Sequence, residues 1–328
     1  MTYAMSTDRL KEIEARALSQ KRLSTADAEF LSSISGQNIF ELFSAANRIR
    51  HHFQGNNVDL CSIVNAKSGR CPEDCSYCAQ SAKSSARIPA YPLLEKKQVL
   101  CKAEEARKGG AKRFCIVTSG RRVSGRELLK IADMISCVKK LGLLPCATLG
   151  LLTRADLNVL KKAGLKRYHN NLETSERFFP NICTTHSYNE KQETIRSARE
   201  AGLSVCSGGI FGLGETWQDR IEMAFALRDL DPDSVPINFF VSVKGAPINR
   251  QKPLNPIEAL KIISLYRFIL PDKQIRVCGG RLQTLNELNA FIFFAGASGL
   301  LIGNYLTTLG RDYADDLQLI SELGFPVR

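Results

Sequence analysis

The chain has 328 residues, 44% apolar and 24% charged, enough to bury one sizeable core and too evenly mixed for a disordered protein. Its net charge of +12 is spread over scattered Lys and Arg with no long basic block, and no aromatic-basic interleaving of the kind that stacks bases argues for nucleic acid. Eleven cysteines in a chain without a secretion signal point to metal or redox chemistry in preference to disulfides.

In chain order, residues 1–57 read as a charged helical extension covering one end of a domain that occupies 58–328. The N-terminus alternates charged and apolar residues without an apolar signal core, so a cytoplasmic protein is expected. Eight strands are predicted near residues 59–65, 113–118, 144–148, 167–171, 203–207, 235–241, 275–279 and 299–302, with helical patterns between them. Over 256–270 the apolar residues Ile257, Leu260, Ile263 and Leu265 recur near helical spacing behind Asn255 as N-cap and Pro256 in the first turn. Gly142, Gly164 and Gly202 stand where helices should stop before the next strand. Eight βα units in series predict an α/β protein, a (β/α)8 TIM-type barrel, with a doubly wound open sheet as runner-up. The longest nearly uncharged run, 291–303, is shorter than the roughly 20 residues of a membrane span and reads as buried helix running into strand.

The strongest chemical signal is Cys71-Pro-Glu-Asp-Cys75-Ser-Tyr-Cys78, in the long loop after the first strand, which in a barrel opens onto the catalytic face. Three thiolates this close can hold three corners of a 4Fe-4S cluster that normally takes four cysteines, leaving one iron open to a small molecule. A structural zinc site is the competing reading, but it needs a fourth Cys or His that the loop itself does not supply. The glycine-rich run Gly208-Gly209-Ile210-Phe211-Gly212-Leu213-Gly214-Glu215 lacks the glycine order of a dinucleotide fold, and its glycines would let a ligand approach the backbone.

The loop and its context, Lys67 to Ser81, together with Tyr168-His-Asn-Asn-Leu-Glu-Thr-Ser175, Cys206 to Glu215, Val235-Pro-Ile-Asn238 and Ile275-Arg-Val-Cys-Gly-Gly-Arg281, closely resemble the biotin synthase family of the radical S-adenosylmethionine (SAM) superfamily. The likeness runs from about residue 58 to the C-terminus. It implies sulfur insertion into dethiobiotin through a 5′-deoxyadenosyl radical, with a 4Fe-4S cluster on Cys71, Cys75 and Cys78. It implies that Tyr77 packs beside SAM, with Gly208, Gly209, Gly212, Glu173 and Lys191 on the SAM side and Asn171 and Asn238 toward the substrate. It further implies an auxiliary iron-sulfur cluster on Cys115, Cys146, Cys206 and Arg276. Cys61 and Cys278 stand where many relatives carry serine, so the auxiliary centre is 2Fe-2S or larger. A flavodoxin- or ferredoxin-type electron donor and a homodimer are also implied.

The sequence departs from the family in reading His169-Asn170-Asn171 in place of Asn-His-Asn, and in offering Lys191 for a SAM-facing arginine, which removes bidentate geometry. Cys183 is expected as a further thiol near the barrel mouth, and Cys101 and Cys137 as helix packing. The alternatives are a radical SAM enzyme of the hydrogenase-maturase or methylornithine-synthase type, and a non-catalytic iron-sulfur electron carrier.

Overall fold

A computed structural model describes residues 3–248, 253–307 and 310–326. Three helices come first: α1 (Tyr3–Leu18), α2 (Thr25–Ser33) and α3 (Asn38–Gln54). Strands and helices then alternate: β1 (Asp59–Lys67), α4 (Lys96–Lys108), β2 (Arg113–Thr118), α5 (Gly125–Lys140), β3 (Leu144–Thr148), α6 (Arg154–Lys162), β4 (Arg167–His169), α7 (Tyr188–Glu200), β5 (Ser204–Cys206) and β6 (Gly209–Phe211). The remainder is α8 (Trp217–Leu230), β7 (Ser234–Phe239), α9 (Pro256–Ile269), β8 (Gln274–Val277), α10 (Arg281–Leu285), β9 (Gly299–Leu301) and α11 (Tyr313–Glu322).

Local chemistry starts and stops these helices. Thr153, Ser187 and Thr216 each accept from a backbone N–H three residues on, while Asp156, Glu190 and Asp219 return the bond to the cap residue, so orphan donors at three helix starts are satisfied by their own sequence. Asn255 caps α9 through a 2.9 Å bond from the Ile257 amide, as expected. Gly142, Gly164 and Gly202 have φ of 83°, 106° and 70°, the left-handed conformation in which a helix turns into the following strand. On α5 the buried side chains Leu128, Ile131, Ala132, Met134, Ile135 and Val138 form one stripe, and burying each large one contributes about 1.5–3 kcal/mol.

Every strand pairing is parallel. The order β5-β4-β3-β2-β1-β9-β8-β7-β6 is closed by a β5–β7 pairing at Cys206 and Ser234. β5 and β6 therefore share one stave, and the described strands make an eight-stave barrel. The expected strand over 203–207 is present as β5, and a further short strand that the sequence reading lacked, β6, follows it across Ser207 and Gly208 on the same stave. A Cβ on Gly208 would stand 2.0 Å from the Pro236 carbonyl oxygen, so only glycine lets the interrupted stave lie this close to β7.

The run 291–303 ends in the buried strand β9 as expected, and only its first part is corrected. A 3-10 turn over Asn286–Ile292 replaces the expected buried helix, and Phe291 and Phe294 are 39% and 45% exposed. The N-terminal helices pack on the outer ring, α3 against α9 and α2 against α8 and α9. Gln54 ties α3 to the carbonyl of Asp272 at 2.7 Å. Among the described residues no helix is long and apolar enough to cross a membrane.

Candidate active site

At the C-terminal end of β1 the chain turns through Gly69 and Arg70, both at positive φ. The Gly69 amide donates to Gln80 Oε1 at 2.9 Å and its carbonyl accepts from Ser119 Oγ at 2.8 Å. These bonds pin the start of the loop that carries Cys71, Cys75 and Cys78, whose turn is closed by the Cys78 amide on the Cys75 carbonyl at 3.2 Å. All three cysteines are half-buried. Burial pushes the Cys78 thiol up to about 11 and raises Cys71, while a hydrogen bond to Cys183, with burial, raises Cys75. Thiols that resist ionisation in the bare loop become thiolates once a metal replaces the proton, so this donor set fits a metal cluster.

Below the mouth lies a cavity of about 340 Å³. Tyr77, Cys78, Ala79 and Gln80 line it from the loop, and Cys61, Cys115, Cys146, Cys206, Cys278 and Arg276 line it from the strands. The five strand cysteines are buried, and four of them pack with Val117 and Leu301 as an island apart from the main core. Register explains the gathering, because Cys115 pairs with Cys146 and Cys146 with Arg167 across neighbouring staves, and alternate residues of a barrel strand point inward.

Beneath these thiols sits a layer of charge of which sequence reasoning had singled out Arg276 and missed Asp59, Arg113 and Arg167. Asp59 Oδ2 accepts from Arg276 Nη2 at 2.6 Å and Arg113 Nε at 3.0 Å, with Arg167 Nη1 3.9 Å away. One carboxylate faces three guanidiniums, leaving two positive charges in excess within the barrel floor. Burial opposes ionisation of Asp59, but the three arginines together hold its carboxyl below the usual range. Arg276 Nε is buried without a hydrogen-bond partner among the described residues. Burial raises the Cys146 thiol and the same three arginines work against that rise. An excess of buried cation beside clustered thiols is the environment an anionic cluster needs, so these residues fit the auxiliary centre. The signal was present in the two-residue steps Asp59/Cys61, Arg113/Cys115 and Arg276/Cys278, which put charge and thiol on one face.

Of the remaining predicted residues, the walls carry Asn171, Glu173 and Asn238. Asn171 Oδ1 accepts from the Gly208 amide at 3.1 Å and bonds His169 Nε2 at 2.7 Å, and Asn171 Nδ2 donates to Glu173 Oε2 at 3.2 Å. Asn238 Nδ2 donates to the Gly209 carbonyl at 3.1 Å and Asn238 Oδ1 accepts from the Gly279 amide at 3.1 Å. Both amides thus brace neighbouring staves while facing the cavity. Glu173 holds φ 75°, a conformation costly for a side chain of this size and concentrated at functional sites. Burial pushes its carboxyl up against the pull of Lys191 and Asn171. Lys191 Nζ donates to the Asn171 carbonyl at 3.0 Å and stands 3.9 Å from Glu173 Oε1. Lys191, Gly208, Gly209 and Gly212 are outside the cavity lining, as are Cys71 and Cys75. The Gly212 amide is held by the Glu215 carboxylate at 2.9 Å. Of the helix cysteines, Cys137 is half-buried as expected, whereas Cys101 is exposed on α4, because it points away from the buried Val99, Ala103 and Ala106 face.

Comparison with known proteins agrees with this geometry. The Radical SAM superfamily model matches residues 66–227, and that of the Biotin and Thiamin Synthesis associated domain matches 236–326. The biotin synthase of Thermodesulfovibrio yellowstonii is 52% identical over 300 residues, covering 92% of this chain and 95% of the relative. That of Geobacter metallireducens is 47% identical over 320 residues, covering 97% of each. Among solved structures, a methylornithine synthase superposes with a TM-score of 0.84 at 20% identity over 95% of this chain and 96% of its own. The FeFe-hydrogenase maturase HydG of Carboxydothermus hydrogenoformans gives 0.81 at 18%, over 97% and 79%. At such identities the structural likeness speaks for the barrel alone, and the sequence relatives decide among barrel enzymes. The chain belongs to the biotin synthase family.

Proposed function

We propose that this chain converts dethiobiotin to biotin by radical SAM-dependent sulfur insertion. The observation that carries the reading is one cavity with Cys78 and Tyr77 at its mouth and five cysteines with Arg276 at its floor. In this reading Cys71, Cys75 and Cys78 hold a 4Fe-4S cluster. Cys115, Cys146, Cys206 and Arg276, joined by Cys61 and Cys278, hold the auxiliary cluster. When bound, the first cluster supplies the electron that cleaves SAM to the 5′-deoxyadenosyl radical, and the auxiliary cluster supplies sulfur. The protein's own part is to seat Tyr77, Glu173, Lys191 and the backbone at Gly208, Gly209 and Gly212 around SAM, and to present Asn171 and Asn238 to the ureido ring of the substrate, which offers donors and an acceptor to paired amides. The apolar walls keep water from the radical.

Residues 1–57 serve as a helical extension and 58–328 as the catalytic barrel. A flavodoxin- or ferredoxin-type donor meets the basic surface implied by the +12 charge. The enzyme works in the cytoplasm as a homodimer. The test is anaerobic reconstitution with iron and sulfide, followed by SAM, a strong reductant and dethiobiotin, with 5′-deoxyadenosine and biotin assayed by mass spectrometry. Both products are expected, and both vanish in Cys71→Ala. Deoxyadenosine without biotin in the wild-type chain would show the substrate to be wrong, and neither product with clusters intact would favour an electron carrier.

A further inference from the structure

Cys183 has no part in the proposed sulfur insertion, yet it is the most heavily engaged thiol in the molecule. It is buried between the cluster loop and the start of α7, with its Sγ 3.8 Å from Cys75 Sγ, 3.3 Å from His186 Nδ1 and 3.8 Å from His186 Nε2. The donor atoms of Cys75, Cys183 and His186 all lie within 4.8 Å of one another. These are the dimensions of a single tetrahedral ion. With metal–sulfur bonds of about 2.3 Å and metal–nitrogen bonds of about 2.0–2.1 Å, the sulfur–sulfur edge is about 3.8 Å and the sulfur–nitrogen edge about 3.5 Å.

The surroundings are built to hold this arrangement. Glu73 Oε2 bonds His186 Nδ1, the carboxylate–histidine pairing that orients a metal-binding imidazole, and this leaves Nε2, 3.8 Å from Cys183 Sγ, as the nitrogen for the ion. Asp74 ties the two loops together. It accepts from the Thr184 amide at 2.9 Å, Thr184 Oγ1 at 2.5 Å, the Thr185 amide at 3.2 Å and Lys83 Nζ at 3.0 Å. The side chains of His186 and Glu73 are 7% and 8% exposed, so neither is a surface group that approaches by chance.

We propose that the cluster-free chain binds one thiophilic divalent cation, Fe(II) or Zn(II), on Cys75, Cys183 and His186, with a fourth position open to water. Cys75 cannot serve this ion and the 4Fe-4S cluster together, so the two states exclude each other and the site is a holding position that cluster assembly must clear. That exclusion rests on Cys75 being a cluster ligand, whereas the cation site does not.

Anaerobic titration of the full-length, cluster-free chain with Co(II) reads the site directly. One equivalent that disappears in Cys183→Ala is expected, with sulfur-to-cobalt charge-transfer absorption and tetrahedral d–d bands. Cys183→Ala and His186→Ala should each weaken binding by more than about tenfold, and Glu73→Gln by about tenfold, as loss of a partner that orients a ligand does, while Cys71→Ala and Cys78→Ala leave it unchanged. Uptake of the 4Fe-4S cluster by Cys183→Ala, read by its visible absorption, certifies that variant's fold. Zn(II) loaded first should block cluster uptake in the wild type and not in Cys183→Ala. Cobalt binding lost in Cys71→Ala or Cys78→Ala but kept in Cys183→Ala would overturn the proposal, by moving the ion onto the cluster loop alone. Cluster uptake undiminished in Cys75→Ala would instead overturn the assignment of Cys75 to the cluster and leave the cation site standing.

Discussion

The two groups of cysteines in this barrel are held in opposite ways. At the mouth, Cys71, Cys75 and Cys78 sit half-exposed in a loop after β1, close in sequence and positioned by backbone turns and the Gln80 and Ser119 bonds to Gly69. At the floor, Cys61, Cys115, Cys146, Cys206 and Cys278 come from separate staves, are buried, and rest on Asp59, Arg113, Arg167 and Arg276. A loop can shift to let a small molecule reach its metal, whereas strand residues above an ion layer cannot move without opening the barrel. The difference suits an exchangeable SAM site above and a fixed cluster below.

The sharpest way to break the contrast is to remove the floor's carboxylate, Asp59. Asp59→Asn leaves the buried Arg167 and Arg276 and the partly buried Arg113 without a counter-charge, and breaking a buried pair in this manner costs about 3–5 kcal/mol. Urea unfolding of the cluster-free chain should show that loss, and a loss below about 1 kcal/mol would mean that the layer carries no stability.

Acid should act on the cavity wall with a smaller effect. Burial first, and then the positive charges of Arg276, Lys191 and Arg167, pull His169 down to about 4 despite its bond to Asn171. Its folded pKa lies below the unfolded value near 6.5, so the unfolded state takes up the proton first as pH falls. Stability from this group is full above about pH 6.5 and drains away as pH falls toward 4, by up to roughly 3 kcal/mol. The check is the pH dependence of unfolding free energy in wild type against His169→Gln, whose curve should be flatter across that window. Parallel curves would remove His169 from the account.

Cys101→Ser should do least. The residue is exposed on α4 and outside both groups, so stability should change by less than about 0.5 kcal/mol and iron content not at all. A fall in bound iron would add Cys101 to the metal sites.

Much of this was legible in the sequence because it is encoded locally. Asn255 and Pro256 announced α9, the glycines after helices marked the βα period, and Cys71, Cys75 and Cys78 lie within a single turn of loop. What escaped depends on pairs far apart in the chain. Asp59 meets Arg276 and Cys75 meets Cys183 only after the barrel closes, at separations of 217 and 108 residues. β6 escaped because three residues in a glycine-rich run are too few for a strand pattern to show. The exposure of Phe291 and Phe294 escaped because an uncharged run does not say which of its residues face water. The positive φ of Glu173 has no signature in a residue type that ordinarily avoids it.

The central claim is that mouth and floor divide the chemistry, SAM cleavage above and sulfur delivery below. Reconstituted Cys146→Ala, with its first cluster verified by iron and sulfide analysis, measures this directly when 5′-deoxyadenosine and biotin are quantified in the same reaction with SAM, reductant and dethiobiotin. The account predicts deoxyadenosine within a few-fold of wild type and no detectable biotin. Biotin formed in wild-type proportion to deoxyadenosine would contradict it.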